Sequence, residues 1–150
     1  MFTPGRLLPV LCLAVATPAL AALGGPAASV EADRRALAAS RLPVVARAGY
    51  QVHEAEVGGT RVREYLSAAG VVFGVAWEGL AQPDLDTLLG AYAPAWREAD
   101  RRAPRVPGRR SRTVMAPHLV VERWGHMRHV QGRAWDPDLL PPGVTADAIR

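Results

Sequence analysis

The chain runs to 150 residues, with eighteen basic and fourteen acidic side chains, a formal net charge of +4 and a single cysteine. Every basic residue is arginine and neither lysine nor asparagine occurs, so the excess is a mild compositional bias that argues against nucleic acid as the partner. One cysteine allows no internal disulfide.

Residues 1–21 read as an export signal. Arg6 gives a positive start, residues 7–16 are apolar, Pro18 breaks the run, and Ala19-Leu20-Ala21 supplies a small-x-small pattern that predicts cleavage after Ala21. The apolar run is interrupted by Pro9 and Pro18 and is shorter than the ~20 residues of a spanning helix. Cys12 lies inside it, so the mature chain is expected to be free of cysteine, and with it of thiolate nucleophiles and cysteine metal sites. Residues 22–150 suit one small domain, exported to the periplasm or beyond the cell, with no membrane span after cleavage.

Residues 22–28, rich in Gly, Pro and Ala, read as a loose N-terminus. Ser29 is placed to cap a helix over residues 30–40, with Glu31 and Asp33 near the positive end of its dipole, and Pro43 stops it. From Tyr50 the period becomes two. Residues 50–57 and 60–67 flank Gly58-Gly59, a two-residue hairpin signal, because both positions tolerate positive φ. That loop sets Glu56 opposite Arg61, Glu54 opposite Arg63, His53 opposite Glu64 and Val52 opposite Tyr65. A second turn near Ala69-Gly70 would place Leu66 opposite Phe73, Glu64 opposite Val75 and Val62 opposite Trp77. Large apolar groups then share one sheet face, and Arg61, Arg63 and Tyr65 form an outward shelf beside Gly74 and Ala76. A one-residue slip at this turn would reverse those faces.

Gln82-Pro83-Asp84 opens a helix whose Leu85, Leu88, Leu89, Tyr92 and Trp96 follow the spacing of one apolar stripe, with Pro94 expected to kink or end it. Packed on the sheet, this stripe makes the core. Residues 97–112 hold seven arginines, two acids, two prolines and one glycine, and read as a mobile arginine-rich loop. Residues 118–123 and 127–135 predict a second hairpin turning near Gly125, and the proline-rich tail carries Leu139 and Leu140 as a cap. The resulting fold class is α+β: a mostly antiparallel sheet of about five strands with one main helix on one face, in the order α-βββ-α-ββ.

Several short motifs in order carry a resemblance. Leu23-Gly24-Gly25 follows the signal; Val62-Arg63-Glu64-Tyr65, Gly70-Val71-Val72-Phe73 and Ala76-Trp77 come next; then Pro83-Asp84-Leu85, Leu88-Leu89-Gly90 and Tyr92; finally Gly125-His126-Met127-Arg128, Gly132-Arg133-Ala134 and Leu139-Leu140-Pro141 with Gly143-Val144. With these the chain resembles an exported bacterial family known as domain of unknown function 2844. The resemblance spans nearly all of the mature chain except residues 97–112. It implies export and one small domain, and it assigns no activity.

Catalytic signatures are sparse. His126 and His129, three apart on one strand, would point to opposite faces, so the reading includes no metal site and no cofactor. None of the serines lies in a Gly-x-Ser-x-Gly elbow, and no glycine loop has the strand-to-helix setting that cradles phosphate. His53 and Glu64, facing each other, are the weak catalytic candidates: a structural hydrogen bond explains them, and a general base held by its orienter is the functional alternative. Arg61, Arg63 and Tyr65 are the weak binding candidates. The leading expectation is a non-enzymatic exported protein that binds or assembles with an envelope or extracellular partner. The alternatives are a small periplasmic enzyme using His53 and Glu64, and an arginine-driven binder of anionic surfaces.

Overall fold

The computed structural model describes residues 23–27 and 40–150. The signal and the helix expected over residues 30–40 lie outside the described residues, apart from Ser40 itself, which is in a strand. Four strands, β1 (Ser40–Arg47), β2 (Tyr50–Val57), β3 (Thr60–Ser67) and β4 (Val72–Gly79), lead into the helices α1 (Leu85–Leu89) and α2 (Ala93–Arg102). Three more strands follow, β5 (Ser111–Ala116), β6 (Leu119–His126) and β7 (His129–Trp135). All seven join one antiparallel sheet in the order β1-β2-β3-β4-β7-β6-β5.

The class is α+β as expected, with helices packed against an antiparallel sheet, but the sheet has seven strands rather than about five. Among the described residues the order is ββββ-αα-βββ. Both additions are edge strands. β1 contains Pro43, read in the sequence as a stop; proline is tolerated where an edge strand bulges, and the β1–β2 register shifts between Arg41 and Val44. β5 begins inside the arginine-rich segment and buries Val114 to 2% exposure, with little apolar alternation to announce it. The stretch expected as a loop over residues 97–112 is therefore helix to Arg102, connector over 103–110, and strand from Ser111.

The β2–β3 register is the one the Gly58-Gly59 loop dictates, from Val57 opposite Thr60 to Val52 opposite Tyr65. β3 and β4 pair as expected at Val62–Trp77 and Glu64–Val75, but the register shifts between Tyr65 and Leu66, so Leu66 faces Val72 instead of Phe73. The extra residue is a β-bulge, and it sends neighbouring side chains to opposite faces. Val72, Val75 and Trp77 meet the helices, whereas Phe73 turns to the other face beside Tyr65. The rings of Tyr50 and Phe73 pack edge to face there, 5.8 Å between centroids.

Asp84 caps α1, its carboxylate accepting from Asp86 N at 3.0 Å and from the Thr87 hydroxyl at 2.6 Å. Gly90, at φ +46, ends it, and a 3-10 turn over Gly90–Tyr92 feeds α2. Pro94 does not terminate the helix. It stands in the first turn of α2, where its missing N–H has no helical partner to lose. Leu85, Leu88, Leu89 and Ala93 are buried against the sheet, with Tyr92 and Trp96 packed beside them.

Residues 23–27, expected to be loose, are tied down. Gly24 N donates to Val72 O at 2.8 Å, Val72 N to Gly25 O at 3.0 Å, and Leu23 N to Leu88 O at 3.1 Å, with the Leu23 side chain buried. Gly24 is at φ +83, and a Cβ there would come within 3.0 Å of the Tyr92 ring, which accounts for glycine after Leu23. At the other terminus, the cap expected of Leu139 and Leu140 is found on the face opposite the helices. Ile149, wholly buried, anchors this tail over Gly74, and the sheet is thus covered on both sides.

Candidate functional site

The tail alters the shelf expected from Arg61, Arg63 and Tyr65. Tyr65 does not face outward: it is 3% exposed, and its hydroxyl donates to Arg150 O at 2.5 Å and accepts from Arg150 N at 2.9 Å. Burial raises its phenol above the usual value. Arg63 donates to Glu54 at 2.9 Å and, with Tyr65, Arg47 and Arg150, lines a depression of about 350 Å³. Arg61 lies in a different hollow with Glu56 and Glu78. The three are not brought to one site. His53 and Glu64 are opposite each other as expected, and Glu64 is 7% exposed, on the sheet face that carries Val62 and Leu66.

A stronger constellation lies at the junction of α2, β5 and the β6–β7 hairpin. Asp100 sits in the last turns of α2, and Arg112 and Arg123 are directly opposite each other on β5 and β6. Arg123 Nη2 donates to Asp100 Oδ1 at 2.6 Å, and Arg112 Nε lies 3.4 Å from the same oxygen, within ion-pair range but without hydrogen-bond geometry. The Nη2 of Arg112 donates instead to Asp100 O at 2.5 Å and Ala103 O at 3.1 Å. These carbonyls belong to the end of α2, where a cation also suits the helix dipole. Arg123 reaches Gln82 Oε1 at 3.3 Å and stacks over Trp96, 5.6 Å from the ring centroid.

This clamp walls a cleft of about 370 Å³. Buried Trp77 reaches its floor, and Gly132 is the reason it can: a Cβ at that position would stand 2.2 Å from the indole. Arg109 and Arg110 rise on the connector side, neither with an ion pair among the described residues. Trp124, His126 and Met127 form the opposite rim, Met127 being 91% exposed. Trp124 Nε1 donates to Gln131, whose amide in turn donates to Glu78 at 2.9 Å, so the rim is braced to the sheet. A second depression of about 390 Å³ adjoins the first through Arg109, Ser111 and Arg112.

The hairpin also revises the histidine geometry. Its turn is Met127-Arg128, with Arg128 at φ +65, two residues beyond the position expected at Gly125. His126 and His129 are therefore cross-strand partners on one side of the ladder, 5.7 Å between ring centroids, and not residues of one strand facing apart. Sequence reasoning missed the cleft because its walls come from four separated segments. The usable signal was Arg112 and Arg123, which needed β5 to be recognised first.

No helix among the described residues is long and apolar enough to cross a membrane. No curated protein and no solved structure matched the chain. A family model matches residues 19–149, covering both the tethered Leu23-Gly24-Gly25 strap and the buried tail, and with this match the chain belongs to the exported bacterial family described as protein of unknown function DUF2844.

Proposed function

We propose that this chain is a non-enzymatic exported binding protein that holds an anionic ligand of the envelope or extracellular space in the arginine-lined cleft. The observation that carries the reading is the charge balance of the walls. Arg109, Arg110, Arg112 and Arg123 converge on one hollow, and Asp100 is the carboxylate that pairs with the inner two. That single carboxylate fixes two guanidinium groups in place, so they need little reordering when an anion arrives. The outer pair supplies long-range attraction, and the Trp77 floor with the Trp124 and Met127 rim offers apolar contact beside the charge. Guanidinium forks suit carboxylate, sulfate and phosphate oxygens alike.

Binding to an immobilised sulfated polysaccharide and to anionic phospholipid vesicles, measured across a salt series, tests the reading. Binding to either is expected to weaken steeply as salt shortens the screening length from about 10 Å at 0.1 M to about 3 Å at 1 M. An Arg109→Ala/Arg110→Ala variant is expected to lose at least about tenfold in affinity, which corresponds to about 1.4 kcal/mol. Affinity unchanged in that variant and across the salt series would exclude the cleft as the binding site.

A further inference from the structure

At the far end of β6 and β7 from the cleft, three side chains with metal-ligating atoms converge. His118 stands in the β5–β6 turn at φ +56, a left-handed conformation that few side chains other than glycine occupy freely. Asp136 follows β7 directly and caps the 3-10 turn Pro137–Leu139, in which Asp138 sits. One ligand atom from each residue lies within 4.8 Å of the other two. The Nδ1 of His118 and Oδ2 of Asp138 are 2.5 Å apart, and both side chains are more than two-thirds exposed.

Asp136 is the unusual member. It is only 4% exposed, yet its hydrogen-bond partners are neutral: the Tyr92 hydroxyl donates to Oδ2 at 2.5 Å and Asp138 N to Oδ1 at 2.9 Å. Among the described residues it has no ion-pair partner. A buried carboxylate is costly without a neutralising charge, and a second carboxylate, Asp138, stands next to it. The cluster thus sets two carboxylates beside one exposed imidazole.

We propose that His118, Asp136 and Asp138 hold a divalent first-row transition-metal ion of the zinc type. One imidazole and two carboxylates are a usual donor set for such ions, and the two negative charges balance the ion. A tetrahedral ion with ligand bonds of about 2.0–2.2 Å sets its donors roughly 3.3–3.6 Å apart, so the direct His118–Asp138 hydrogen bond must open and the wider separations close by up to about an ångström. The exposed His118 and Asp138 side chains have the rotamer freedom to do it. Tyr92 acts as a positioning residue, its hydroxyl fixing the Asp136 carboxylate as outer-shell donors do in metal sites. Gly24 in turn makes room for the Tyr92 ring. The site faces solvent, so water completes the coordination shell.

The test is titration of the metal-stripped protein with Co²⁺, read by visible absorption, and with Zn²⁺, read by calorimetry. About one equivalent is expected to bind, with affinity falling at least about tenfold in both His118→Ala and Asp138→Asn. Circular dichroism checks that these exposed substitutions leave the fold intact. The other close imidazole pair is tested by His126→Ala/His129→Ala, which is expected to bind metal like the parent. Absence of saturable binding, binding that survives both His118→Ala and Asp138→Asn, or binding lost only with His126 and His129 would each overturn the assignment.

Discussion

Gly74 and Ile149 offer the sharpest test of how the second sheet face is covered. A Cβ built on Gly74 would stand 2.6 Å from Ile149 Cδ1 and 3.2 Å from its Cγ1, with the next neighbour, Ala134 O, at an ordinary 3.5 Å. Gly74→Ala should therefore meet one obstacle, the end of one buried side chain, at an expected cost of about 1–3 kcal/mol for overpacking. Ile149→Val deletes the δ carbon and leaves a small cavity in a fully buried position, at about 0.5–1.5 kcal/mol. In the double variant the clash falls to the 3.2 Å approach, which a slight shift of the tail absorbs. The double variant should then be less destabilised than the sum of the singles by roughly 1 kcal/mol. Urea unfolding with a common m-value measures all four proteins, and melting temperature supplies an independent reading at about 3–5 °C per kcal/mol for a domain of this size. Additivity within about 0.5 kcal/mol would mean that Ile149 does not lie over Gly74, and the account of the buried face would fall with it.

Two further outcomes follow from close contacts and from charge. Gly132→Ala is expected to be far more damaging than Gly74→Ala, by about 3 kcal/mol or more, because the obstacles are the Trp77 ring at 2.2 Å and the backbone oxygen of Glu122 at 2.8 Å, neither of which can yield easily. Loss of no more than about 0.5 kcal/mol in chemical unfolding would contradict the Trp77 placement. Burial raises the Tyr65 phenol above its ordinary value of 10.0, so the folded state favours the neutral ring. Its contribution is fully present below pH 10 and is lost as pH rises through the elevated folded value. Stability should therefore fall more steeply above pH 10 in the parent than in Tyr65→Phe, as read from urea midpoints; equal slopes would show that Tyr65 is not buried.

The parts of this fold that local chemistry dictates were legible. Gly58-Gly59 admits one tight hairpin, and from it the pairing of Glu54 with Arg63 and His53 with Glu64 follows by counting. The leucines of α1 declare their face by spacing. What the sequence hides are interactions whose partners lie far apart. Tyr65 alternates like an outward residue, and only a tail eighty-five positions later makes it a buried one. The bulge that separates Phe73 from Val75 has no marker in a run where every neighbour is apolar or small. β5 shows one buried side chain among six residues, and its arginine belongs to a clamp rather than to a loop. Pro43 and Pro94 suggest a helix stop by proline's commonest effect, whereas an edge bulge and a first helical turn each accommodate proline without cost to a hydrogen bond. The candidate cleft was correspondingly visible only as an excess of arginine, with its location set by strands that composition does not reveal.

The position of β4 bears on how such a chain must be made. Its neighbours in the sheet are β3, which precedes it at once, and β7, which is the last strand to be synthesised. Until β7 arrives, a growing or translocating chain presents the apolar β4 as an open edge carrying Val72, Phe73, Val75 and Trp77, a template for pairing with other chains. Closing the sheet then depends on a long-range contact that forms slowly compared with the hairpins on either side. In a chain that crosses a membrane before it folds, that interval falls outside the cytoplasm, where the first half of the sheet is complete in pattern but not yet protected.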